Sequence, residues 1–150
     1  MAGKKEAMRP GGWVLLALWA ANHHSLSPVQ LQKSLFLLGQ RRKQDVGAGF
    51  YHFQPYDYGP FDVTVYTDAD RLVEEGLVAI DRSMGRSLRR FSLTADGKVE
   101  AERLAATVPD GAVAYLRKVV PWAQGLSFNE LVRAIYDAYP STRVNSVFRD

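Results

Sequence analysis

The segment from Leu72 to Gly97, LVEEGLVAIDRSMGRSLRRFSLTADG, decides how the chain is read, because the hydrophobic period changes inside it. Up to Glu75 the apolar residues recur at helical spacing. From Leu77 they form two short strand-like runs, Leu77 to Ile80 and Leu88 to Leu93, separated by Ser83-Met84-Gly85-Arg86, which has turn chemistry. The segment is therefore expected to be the end of a helix stopped by Gly76, a β-hairpin with a basic tip, and a new helix capped by Thr94.

Working backwards, helical spacing places Phe61, Val65, Ala69, Leu72 and Val73 on one face of a helix running from Pro60 to about Glu75. The opposite face carries Val63, Thr67, Asp70, Arg71 and Glu74. Before it, Phe50 to Tyr58 is dense in aromatics and reads as extended, and Gly47 and Gly49 mark a loop. Ser27-Pro28-Val29-Gln30 combines an N-cap serine, a proline at the first helical position and a glutamine that can close a capping box. It opens a helix with Leu31, Leu35 and Leu38 on one stripe that ends near Arg41, Arg42 and Lys43. A first helix is expected from Trp13, with Leu16, Ala17 and Ala20 inward. Residues 1–10 read as a flexible tail.

Working forwards, the helix after Thr94 carries Val99, Leu104 and Val108. Pro109-Asp110-Gly111 interrupts before a helical run through Tyr115, Leu116 and Val119 that Pro121 is expected to break or restart. Ser127-Phe128-Asn129-Glu130 is a second capping box, opening a helix with Leu131, Ile135 and Tyr136 that Pro140 closes. With Leu116, Val119, Trp122, Leu126, Phe128, Leu131 and Ile135, the C-terminal helices are more apolar than a peripheral pair needs. They are expected to pack across the core or to form a homodimer interface.

Three helices followed by a hairpin, the third helix ending at the first strand, is the element order of a winged helix-turn-helix module. The fold class expected is mainly α with a small β-hairpin (α+β), with a core over 11–97 and a helical extension over 98–150. The Leu72–Val78 and Arg90–Gly97 strings resemble the corresponding parts of many bacterial winged-helix regulators. Leu31-Gln32-Lys33-Ser34-Leu35-Phe36-Leu37-Leu38, Tyr56-Asp57-Tyr58-Gly59-Pro60-Phe61 and Ala69 to Val78 resemble the Panacea (SocA-like) antitoxin-associated domain and related small bacterial winged-helix proteins. The likeness covers Leu31 to Val78 and, more loosely, Ser127 to Ser146. It implies a binding or regulatory role, in some relatives toward a toxin, and carries over no catalytic residue.

Composition limits the alternatives. The 150 residues are 47% hydrophobic and 23% charged, as in ordinary globular domains. The absence of cysteine excludes disulfides, thiolate metal sites and cysteine nucleophiles. Lys4, Lys5 and Arg9 ahead of the apolar run Trp13 to Ala21 imitate a secretory signal, but the run is too short to span a bilayer and reads as a buried helix. The location expected is cytoplasmic, with no membrane partner. No phosphate loop, nucleophile elbow or acid pair is present, so no enzyme activity and no cofactor are expected. His23, His24, His52 and Asp57 lack ligand spacing, and no metal site is expected.

The chain reads first as a DNA-binding winged-helix transcriptional regulator, with a protein-interaction module of the antitoxin or adaptor type, binding a toxin or other partner protein, as the alternative. The formal charge of +3 is concentrated where arginines suit phosphate: Arg82, Arg86, Arg89 and Arg90 in the hairpin, and Arg41, Arg42 and Lys43 after the second helix. These are the candidate contacts to double-stranded DNA. A helix that reads a groove should not present Asp70 and Glu74, however, and a long insert separates the second and third helices. Thr67, Asp70, Arg71 and Glu74, with Tyr56 and Tyr58, are accordingly the candidate contacts to a partner protein.

Overall fold

The computed structural model describes residues 8–85 and 89–149. The chain is mainly helical with small antiparallel sheets. In order it comprises α1 (Gly12–Ala20), a 3-10 turn (Asn22–His24), β1 (Ser25–Leu26), α2 (Pro28–Arg41), α3 (Lys43–Val46), β2 (Gln54–Tyr56), β3 (Gly59–Phe61), α4 (Val63–Glu74), β4 (Val78–Asp81), β5 (Arg90–Leu93), α5 (Ala95–Ala105), α6 (Asp110–Gln124), α7 (Phe128–Ala138) and a second 3-10 turn (Pro140–Arg143). A three-stranded sheet has the order β1-β5-β4, and β2 and β3 form a separate hairpin. In the larger sheet Ile80 pairs with Phe91 and Asp81 with Arg90, while Leu26 pairs with Phe91 from the other side. Phe91 is thus buried at the centre.

α1 is apolar all round and buried from Gly12 to Leu18, as a helix enclosed on every face must be. α2 is enclosed too, although its sequence is amphipathic: Gln32, Lys33 and Ser34 are buried with Leu31, Leu35 and Leu38. Its capping box forms, Ser27 Oγ accepting from Gln30 N and Gln30 Oε1 accepting from Ser27 N. The α7 box does the same with Ser127 and Glu130. Leu116, Val119, Leu131 and Ile135 join the main apolar cluster, so the C-terminal helices pack across the core, whereas Trp122 and Phe128 are exposed.

Two motif strings meet at the junction of α4, β4 and α5. The Thr94 hydroxyl donates to Gly76 O at 2.7 Å and accepts from Gly97 N at 3.0 Å, and Thr94 N donates to Leu77 O. A Cβ on Gly97 would lie 1.9 Å from Leu77 O, so only glycine lets α5 start this close to the strand.

Several local expectations are corrected. Pro60 does not open the third helix; it lies in β3 opposite Pro55, a rung where neither residue has an N–H to donate. The helix starts at Val63, capped by Asp62, whose carboxylate accepts from Thr64 N at 2.8 Å. Pro121 does not break α6: it sits in the last turn, where its missing N–H leaves only the carbonyl one turn earlier without its helical donor. Val99 faces solvent rather than the core. The loop after α2 contains α3, held by Arg42 Nε donating to Asp45 at 2.6 Å. Arg9, expected in the flexible tail, is ion-paired with Glu75 and, at 3.0 Å, with Glu100.

Candidate functional site

The insert between α2 and α4 is a fastened hairpin. Gln32 makes a reciprocal pair with the backbone of Asp62: its Nε2 donates to Asp62 O at 3.0 Å and its Oε1 accepts from Asp62 N at 3.1 Å. Lys33 Nζ donates to Pro60 O at 3.1 Å and is only 4% exposed, and burial alone pushes its pKa down to about 8. Gly59 adopts φ 104°, and a Cβ there would stand 3.4 Å from both Lys33 Cε and Tyr136 Cε1. The Leu-Gln-Lys and Tyr-Gly-Pro strings are therefore two halves of one contact, which sets the hairpin against α2 and α7. Residues beyond the last helix tie down the other side. Asn145 Nδ2 donates to Pro55 O at 3.2 Å, and Ser146 Oγ and Val147 N donate to Asp57 O at 3.1 and 2.9 Å.

On this support the hairpin displays aromatics. Tyr56 is 55% exposed and Tyr58 44%, and Phe128 at the start of α7 is 43% exposed. The Tyr58 and Phe128 rings meet edge-on with centroids 5.1 Å apart. Tyr56 stacks on Phe61 at 5.1 Å, Phe61 meets Tyr66 at 5.5 Å, and Tyr66 stacks on Phe91 at 6.0 Å. This row leads from the hairpin across the start of α4 to the central strand. Burial raises the Tyr66 pKa to about 12, against the opposing effect of Arg89. Phe50 and Phe53, by contrast, pack with Trp13 and Phe36 in the interior.

Helix α4 presents its polar face to solvent. Val63, Thr64, Thr67, Asp70, Arg71 and Glu74 are all exposed, while Val65, Ala69 and Leu72 are buried. Arg71 approaches Asp68 at 3.9 Å. Asp68 is itself buried and accepts from the Tyr51 hydroxyl at 2.5 Å; burial first, and then this carboxylate, raises the Tyr51 pKa.

The expected cationic contacts are not gathered together. Arg90 donates through Nε to Ser25 Oγ at 2.9 Å and through a second nitrogen to Ser25 O at 3.3 Å. The Arg89 guanidinium lies over Tyr66 at 5.0 Å and Phe91 at 5.4 Å. Arg82 is exposed, and Arg86 lies outside the described residues. Arg41, Arg42 and Lys43 stand at the other end of α2. Ser25 lies just before this 14-residue helix and Arg41 ends it, a separation of about 20 Å. Arg42 is committed to Asp45.

A groove of about 820 Å³ opens between the start of α1, α3, residues 50–52, the start of α4 and the end of α5. Arg9, Arg103, Asp45, Asp62 and Asp68 line it, but each is already bonded to a protein group, so they do not converge on a ligand. Among the described residues, no three acidic or histidine side chains are placed to hold a metal, and no helix is long and apolar enough to cross a membrane.

Sequence reasoning identified Tyr56 and Tyr58 but missed Phe128 as an exposed ring. It also missed Asp62, Gln32 and Lys33 as the fastening of the insert. The resemblance strings contain Gln32 and Lys33 without indicating their partners. Compared with family models, with curated proteins and with solved structures, the chain matches none.

Proposed function

We propose that the chain is a winged-helix binding module that takes a partner protein on the face formed by the β2–β3 hairpin and the exposed side of α4. The sheet order β1-β5-β4, with a hairpin directly after the third long helix, supports the winged-helix reading. The observation that carries the function is the exposure of Tyr56 and Tyr58 on a hairpin fastened by α2 and by the segment after α7, with Phe128 exposed beside Tyr58 at the start of α7. Aromatic rings held on a rigid support bury large areas at little entropic cost and dominate protein interfaces. Asp70 and Glu74 on the exposed side of α4 favour a basic partner surface. The resemblance to antitoxin-associated domains points the same way, and the reading includes no catalysis.

DNA is the second reading, favoured by the arginine-bearing β4–β5 hairpin of the proposed wing. One variant separates the two. Asp70→Asn with Glu74→Gln removes repulsion toward phosphates and should tighten binding to duplex DNA, but it removes attraction toward a basic protein and should slow capture of that partner. Tyr56→Ala with Tyr58→Ala should abolish protein capture and leave DNA affinity unchanged. Protein capture indifferent to both pairs would refute the proposed face.

A further inference from the structure

The chain's own residues 145–148 occupy a seat with the character of a short-peptide site. Residues 146–149 have no regular secondary structure, yet they are held in place. Pro55 O and Asp57 O on the hairpin accept from Asn145 and from Ser146 and Val147. The Tyr136 hydroxyl donates to Ser146 Oγ at 2.6 Å, and Phe148 N donates to the same oxygen at 2.9 Å. The Phe148 ring is 5% exposed and packs with Val132, Tyr136 and Val29, a small cluster beside the main core that shares Val29 with it. Val144 and Val147 remain exposed. Backbone acceptors, one hydroxyl position and one aromatic pocket are the elements by which domains read short extended segments.

We infer that this seat is a peptide-binding site in which the chain's own segment is a displaceable occupant: a partner protein inserts a segment of the same chemistry, a small hydroxyl residue followed two positions later by an aromatic anchor. Three features support displacement. The Phe148 ring belongs to a small cluster of its own and not to the main core cluster. The segment is held by one ring and a few hydrogen bonds, so its local opening costs less than global unfolding. The acceptors Pro55 O and Asp57 O alternate along the hairpin with Tyr56 and Tyr58, so an incoming segment would meet the exposed rings as it seats. The inference rests on the protein-binding reading of that hairpin and adds the form of the ligand.

The test uses the full chain and a fluorescently labelled peptide of residues 143–150, RVNSVFRD, followed by anisotropy. Full-length Ser146→Ala with Phe148→Ala weakens the internal occupant, and this variant should bind the peptide at least about tenfold tighter than the unmodified chain, because apparent affinity scales with the fraction of seats that are open. The same peptide carrying alanine at the Phe148 position should not bind. A folded variant that does not distinguish the two peptides overturns the inference. If the variant does not fold, amide exchange on the unmodified chain decides: Val147 N–H should exchange by local opening, faster than Leu35 N–H, and exchange of both only through global unfolding overturns the inference. Tight peptide binding accompanied by concentration-dependent dimers in light scattering would make a second copy the occupant and refute the partner. Peptide binding that survives Tyr56→Ala and Tyr58→Ala while partner capture is lost leaves the seat intact; capture without peptide binding rejects the seat alone.

Discussion

Replacing Lys33 by methionine probes a buried charge on α2. The ammonium is buried with a single carbonyl acceptor, and its pKa falls from 10.5 to about 8 through desolvation. The unfolded chain therefore binds the proton more tightly than the folded one, and stability rises with pH between these values. Below the folded pKa both states are protonated and the full burial cost is present. Above 10.5 both are neutral and the cost is gone. The shift corresponds to roughly 3 kcal/mol, of which roughly 2 to 3 kcal/mol should appear between pH 7 and pH 10. Methionine has similar length and no charge, so Lys33→Met should remove this dependence. Urea unfolding of both proteins at pH 7 and pH 10 measures it as a double difference, in which tyrosine titration common to both cancels. The variant should gain on the native chain at pH 7, less the cost of leaving Pro60 O without its donor, and lose that advantage at pH 10. A difference that stays constant across this range would refute the assignment of an uncompensated buried lysine.

Three further outcomes follow from particular contacts. Gly97→Ala should destabilise the chain by several kcal/mol in thermal or urea unfolding, since the added Cβ would meet Leu77 O at 1.9 Å and backbone must move. Gln32→Ala should cost about 1 to 2 kcal/mol, chiefly by orphaning the N–H of Asp62, since the Asp62 C=O keeps the bond from Val65 N; Gln32→Glu restores the acceptor and should recover part of the loss. Glu100, held down to about 2 first by the Arg103 hydrogen bond and then by Arg9, favours the folded state above the ordinary carboxylate range; that contribution should fade as pH falls toward 2, and Glu100→Gln should flatten the acid limb of the stability curve.

Elements set by neighbouring residues were legible in the sequence. Ser27, Thr94 and Ser127 cap helices through hydrogen bonds that span three residues, and the change of period after Gly76 marks the β4–β5 hairpin. The exposed face of α4 follows from helical spacing alone, which is why Thr67, Asp70, Arg71 and Glu74 were placed correctly on the outside. The candidate site was legible only in part. Tyr56 and Tyr58 were candidates within an aromatic run that reads mainly as core packing; their neighbours Phe50 and Phe53 turn inward, and composition could not tell the two pairs apart.

The sequence by itself determined the order and type of the long elements, most of their caps and the solvent face of α4, because these depend on side-chain periodicity and on hydrogen bonds between near neighbours. Tertiary structure alone decided the rest. Pro60 lies in a strand opposite Pro55, with its carbonyl held by Lys33, and Gln32 and Lys33 are buried because the hairpin covers the second face of α2. Arg90 is engaged by Ser25, and Ser146 by Asp57, across 65 and 89 residues of chain. Such contacts leave no periodic trace: which partner a donor finds is set by how whole elements pack, and local propensity carries no information about it.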